Sequence, residues 1–81
     1  METFDIPLPS KTNELKKMQK LGFESGKKLP KNTMIKHTFS NSEKESSVDK
    51  YEIYVNKKLF AKVVSGWDYY YGGSTTYDFL E

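Results

Sequence analysis

The sequence predicts an α+β domain: one N-terminal α-helix packed on an antiparallel sheet of four to five strands, in the order β-α-β-β-β-β. Three observations predict it. One stretch, residues 10–22, places its apolar side chains at helical spacing. Residues 33–80 instead alternate, are rich in β-branched and aromatic side chains, and are punctuated by Asn, Ser and Gly. The runs in that second part lie too close together for crossover connections, so neighbouring strands pair antiparallel. At 81 residues the chain is expected to form a single domain over 1–81.

Residues 1–9 alternate Phe4, Ile6 and Leu8 with Thr3, Asp5 and Pro7. That is a strand pattern, but Pro7 and Pro9 restrict it to an edge strand or an extended arm. In the helix, Ser10 or Thr12 is the expected N-cap. Leu15, Met18 and Leu21 form one apolar stripe, with Lys16, Lys17 and Lys20 off it. Gly22 is placed to take the left-handed conformation that ends helices, and Phe23 to pack back on Met18. "ESGKKLPKN" reads as a loop. "TMIKHTFS" alternates with Ile35, His37 and Phe39 on one side, and "NSEKESSVD" reads as a mobile loop. "KYEIYVNKKLFAKVVSG" is a hairpin turning at Asn56 and Lys57. Gly66 is read as a break, "WDYYY" as strand-forming, "GGS" as a turn and "TTYDFL" as a last strand. Leu15, Met18, Leu21 and Phe23 are expected to pack on Ile35, Phe39, Ile53, Val55 and Val63 or Ala61. Tyr54, Phe60 and some tail aromatics are assigned to the other sheet face.

Composition removes several function classes. With no cysteine and one histidine there is no disulfide and no zinc site, and no metal or other cofactor is expected. No apolar run approaches the roughly 18 residues of a membrane span, and "METFDIPLPS" lacks the basic-then-apolar form of a secretory signal. A cytoplasmic protein without a membrane partner is expected. Phosphate loops, dinucleotide fingerprints and nucleophile triads are missing. Hence no small-molecule substrate and no enzymatic activity are expected.

Charge is distributed unevenly. Residues 11–36 carry Lys11, Lys16, Lys17, Lys20, Lys27, Lys28, Lys31 and Lys36 against Glu14 and Glu24, whereas residues 67–81 carry Asp68, Asp78 and Glu81 and no lysine. Lys16, Lys17, Lys20, Lys27, Lys28 and Lys31 could contact phosphates, but a solvated helix face together with A/T-rich codon usage is the simpler explanation. The absence of arginine weighs against base-specific reading. Lysine without arginine, with many Asn and Tyr, also fits an A/T-rich genome such as that of a low-GC bacterium or its phage.

The aromatic tail is the main candidate site. Trp67, Tyr69, Tyr70, Tyr71 and Tyr77 cluster with Phe79, and Trp and Tyr dominate interface hot spots. Three consecutive tyrosines in a strand cannot all face the core. The plainer reading is that Trp67 and Phe79 are core and the tyrosines cover the sheet. His37, the one imidazole, is more simply a packed strand residue than a general base.

"ELKKMQKLGFE", followed by strands and by His37 in "KHTF", resembles the opening of the HicA-type toxins, small RNases with a double-stranded-RNA-binding-like fold. The resemblance covers less than half of the chain. It implies a catalytic His37 and lysines that hold RNA. The glycine and serine that precede the histidine in that family are Ile35 and Lys36 here, and an aromatic strand pattern replaces the closing helix, so the chain is not assigned to the family.

The expected function is therefore a small non-enzymatic protein-binding module that docks through Trp67, Tyr69, Tyr70, Tyr71 and Tyr77. Its partner would be a host protein or a second copy of itself, and the exposed edge of the last hairpin would be a site of strand addition. Size and composition suit an inhibitor or regulator of a host defence protein encoded by a phage or mobile element. Nucleic-acid binding through the lysine face is the alternative, and a HicA-like RNase using His37 the second alternative.

Overall fold

The computed structural model describes residues 3–80. In it, α1 (Thr12–Lys20) precedes β1 (Thr33–Ser42), β2 (Ser46–Val55), β3 (Lys58–Asp68) and β4 (Gly72–Phe79). The strands pair antiparallel in chain order, β1-β2-β3-β4. The α+β class with an antiparallel sheet is thus observed, but the order β-α-β-β-β-β is not. The helix precedes all four strands, because the first segment forms no strand; Thr3 makes only an isolated bridge with Lys28. Met1 and Glu2 of the expected arm, and Glu81 of the acidic tail, lie outside the described residues.

The helix is shorter than 10–22. Its N-cap is Lys11, without a side-chain cap hydrogen bond, and neither Ser10 nor Thr12 takes that role. Its C-terminal end follows the expectation closely. Gly22 has φ 93°, its N–H donates to the Gln19 carbonyl at 2.9 Å, and the Phe23 N–H donates to the Met18 carbonyl at 3.1 Å. These are the two bonds of a Schellman cap, and its apolar contact is supplied by Met18 and Phe23, both fully buried.

Nine helical residues span only about 13 Å, which is little cover for four strands. The N-terminal arm supplies the rest. Phe4 N–H donates to the Lys27 carbonyl and the Gly26 N–H to the Phe4 carbonyl, both at 2.8 Å. Those bonds seat Phe4 and Ile6 in the core with Met18, Phe23, Ile53, Ala61, Val63 and Tyr77. Phe4 and Phe23 meet ring to ring at 5.2 Å. Leu21, Ile35, Phe60 and Phe79 pack around this cluster, whereas Leu15, Val55 and Phe39 do not belong to it.

Two β-bulges explain the departures on the sheet. Thr38 is unpaired between His37↔Tyr51 and Phe39↔Lys50. This extra residue turns Phe39 to the open face, where it is exposed and the Lys50 ammonium lies 5.3 Å from its ring centre. Phe60 is unpaired between Ala61↔Ile53 and Leu59↔Tyr54. It therefore packs on the core side, 5.3 Å from Phe79, and not on the outer face. Nor is "NSEKESSVD" a mobile loop. Ser46–Asp49 pair with Asp68–Ser65 of β3, because small and β-branched side chains fit a ladder that a neighbouring strand completes. Gly66 does not end β3 but pairs with Val48 and Ser74.

Asn56 and Lys57 turn β2 into β3 as expected, with φ 52° and 69°. Both values are positive, as a type I′ turn requires. Lysine is strained there, so Lys57→Gly is expected to stabilise the fold by about 0.5–1 kcal/mol. Urea denaturation checks this; an unchanged or lower midpoint contradicts the strain. Among the described residues no helix is long and apolar enough to cross a membrane.

Candidate functional site

Tyr69, Tyr70 and Tyr71 are not strand residues. They form the turn between β3 and β4, so the alternation argument does not apply and all three project outward. Their relative exposures are 68%, 72% and 90%. Ring-bearing residues at a hairpin tip need an anchor, and Asp68 provides it. Its carboxylate accepts from the N–H of Tyr70 at 2.8 Å and of Tyr71 at 3.3 Å. This is the Asx-turn geometry, in which an acid substitutes for a backbone carbonyl. Gly72, at φ 80°, closes the turn.

A second tether comes from the neighbouring hairpin. The Tyr69 N–H donates to the Glu45 carbonyl at 2.8 Å, which ties the tip to the turn between β1 and β2. Tyr69 and Tyr70 contact edge to face with centroids 5.2 Å apart. Trp67 lies one step back on β3, opposite Ser47 and Gly73. Its small neighbours leave it 47% exposed. Trp67, Tyr71, Ser47 and Val48 help to line a shallow groove of about 510 Å³.

Tyr77 does not join this surface. Alternation places it on the helix-bearing face, where it is 6% exposed, and its hydroxyl donates to the Pro7 carbonyl at 2.7 Å. Burial pushes that hydroxyl far above its ordinary pKa. Tyr77 is thus a core residue that holds the arm, which corrects its assignment to the docking surface. Asp68, the residue that shapes the tip, was not singled out from sequence. The available signal was an acid followed by a short aromatic run and glycine.

The lysines are exposed but not gathered into one cleft. Lys16 and Lys20 lie one turn apart on α1, while Lys27, Lys28 and Lys31 sit on the connection to β1. Lys17 leans toward the sheet, its ammonium 5.0 Å from the Phe79 ring centre.

His37 is half-exposed and not packed between Ile35 and Phe39. Its Nε2 lies 3.0 Å from the Asp49 carboxylate, and its ring stacks on Tyr51 at 4.7 Å. His37, Tyr51 and Asp49 thus make a cross-strand clamp between β1 and β2, on the side of the sheet where Tyr51 packs against the core. Among the described residues no three His, Asp or Glu side chains converge as metal ligands would. Comparison of the chain with protein-family models, curated proteins and solved structures finds no match.

Proposed function

We propose that this chain is a small non-enzymatic protein-binding module that docks through its aromatic hairpin tip: Trp67, Tyr69, Tyr70 and Tyr71. The supporting observation is a run of three consecutive tyrosines, each more than two-thirds exposed, on a turn tethered through Asp68 and Glu45. Tyr and Trp give large contact area for few rotatable bonds. A tip already held in one shape loses little entropy on binding. Its size, together with basic residues that are all lysine, suits an inhibitor or regulator of a host defence protein. The carrier would be a phage or mobile element, and the site of action the host cytoplasm.

The test uses the intact chain as bait in host lysate, with and without nuclease treatment, followed by affinity measurement on the captured protein. Replacing Tyr69, Tyr70 and Tyr71 singly by Ala is expected to weaken binding at one or more positions by about 2 kcal/mol, roughly thirtyfold. Full affinity in all three variants removes the tip from the interface. Capture that disappears with nuclease, and falls steeply with salt, assigns the binding to the lysines instead.

A further inference from the structure

The two edges of the sheet are built differently. On β1, Lys36 and the bulge at Thr38 interrupt any regular pairing with another strand. β4 has no bulge and no lysine, and its one charge, Asp78, lies near its C-terminal end. Gly72–Tyr77 contain no charge and no proline, and the register with β3 runs unbroken from Ala61↔Phe79 to Asp68↔Gly72. The Leu80 N–H donates to the Phe60 carbonyl at 3.0 Å. That bond sets the phase of the ladder. Even-numbered residues of β4 turn their backbone groups toward β3, and Gly73, Thr75, Tyr77 and Phe79 turn theirs outward. No described residue hydrogen-bonds to those outward groups.

We propose that β4 pairs antiparallel with β4 of a second copy of this chain, Thr76 facing its own counterpart on the two-fold axis, so that two four-stranded sheets become one of eight strands. Centring on Thr76 brings all four outward-facing residues of each copy together: Gly73 opposite the second copy's Phe79, and Thr75 opposite its Tyr77. Shifting the centre by one residue in either direction leaves an end of the strand unpaired. The side chains agree with this register. Thr76 forms a favourable threonine pair, Ser74 faces Asp78, and the Phe79 ring lies over Gly73 of the other copy, covering the position without a side chain. No like charges stand opposite one another. The strand is thus its own complement, glycines at one end matching rings at the other, which is the requirement of a two-fold interface. That argues for a second copy over a foreign peptide.

Thr76 is exposed and its backbone faces β3, so changing its side chain leaves the fold in place; circular dichroism verifies this. Analytical ultracentrifugation of the intact protein is expected to show a mass rising with concentration to twice the 9.4 kDa of one chain. Thr76→Lys and Thr76→Glu, each alone, bring like charges together on the axis and are expected to raise the dimer dissociation constant about tenfold or more. An equal mixture of the two variants restores association. In the wild-type dimer, the amides of Gly73, Thr75, Tyr77 and Phe79 exchange slowly with solvent, and on dilution they exchange fast. A mass that stays monomeric at millimolar concentration overturns the proposal. So does a dimer that survives both single variants unweakened, or one in which those four amides exchange freely.

Discussion

Replacing Phe4 by Ala is expected to destabilise the protein by about 3–5 kcal/mol. Phe4 is fully buried although it belongs to no helix or strand. It meets Phe23 at 5.2 Å and occupies the core alongside Met18, Ile53 and Val63. A domain of this length has a total stability of about 4–12 kcal/mol, so the loss removes much of it. The arm has nothing else of that size to hold it. What remains is smaller: two backbone bonds to residues 26 and 27, the Ile6, Leu8 and Pro9 side chains and the Tyr77 hydroxyl. The arm is expected to detach before the sheet unfolds, uncovering Ile53 and Ala61. Urea denaturation gives the free-energy change, and proteolysis near residue 10 reports the detached arm. A loss below about 1 kcal/mol would show that helix and sheet suffice without the arm.

Stability is also expected to fall as pH rises above about 10, with Tyr77 the principal cause. Below that pH its hydroxyl is protonated in folded and unfolded chains alike, and its contribution is complete. Above it, the unfolded chain releases the phenolic proton while the buried hydroxyl keeps it. The unfolded state then binds fewer protons, and stability declines by up to about 1.4 kcal/mol per pH unit until the folded protein also titrates. Tyr51, raised by burial and then by Asp49, and Tyr54, raised chiefly by the hydrogen bond it donates to Glu52, act in the same direction. Both are more accessible, so solvent screening reduces their share. Tyr77→Phe separates the contributions. At neutral pH it loses the 2.7 Å bond to Pro7, a cost of about 1 kcal/mol. Above pH 10 its stability curve is expected to be flatter and to converge on that of the wild type. Parallel curves from urea unfolding at a series of alkaline pH values would remove Tyr77 from the account.

Local chemistry was readable from the sequence wherever a few neighbouring residues decide the outcome. The Gly22–Phe23 helix end and the Asn56–Lys57 turn depend on backbone conformations that particular residues adopt within a few positions of one another. The antiparallel pairing followed from short connections. For the N-terminal segment the choice between edge strand and extended arm stayed open, because its role depends on residues 26–27 and 77, far away in the chain. Phe39 and Phe60 were assigned to the wrong faces for a related reason. A pure alternation reading carries no signal for a bulge, and one extra residue reverses every side chain beyond it.

The candidate site divides in the same way. That Trp67 and the tyrosines mark a surface was evident from residue type, since so many rings in so few residues cannot all be buried. Which rings are exposed was a tertiary matter. Tyr77 is drawn inward by alternation and by Pro7, while Tyr69–Tyr71 are released because Asp68 turns the chain before they can join a strand. Sequence by itself thus determined the class, one helix with antiparallel strands, the helix stop, the Asn56–Lys57 turn and the existence of an aromatic surface, all short-range consequences of backbone preference and side-chain period. Only the tertiary structure decided the cover over the sheet, the direction each ring faces and the free edge of β4, because those depend on pairings between residues far apart in the chain.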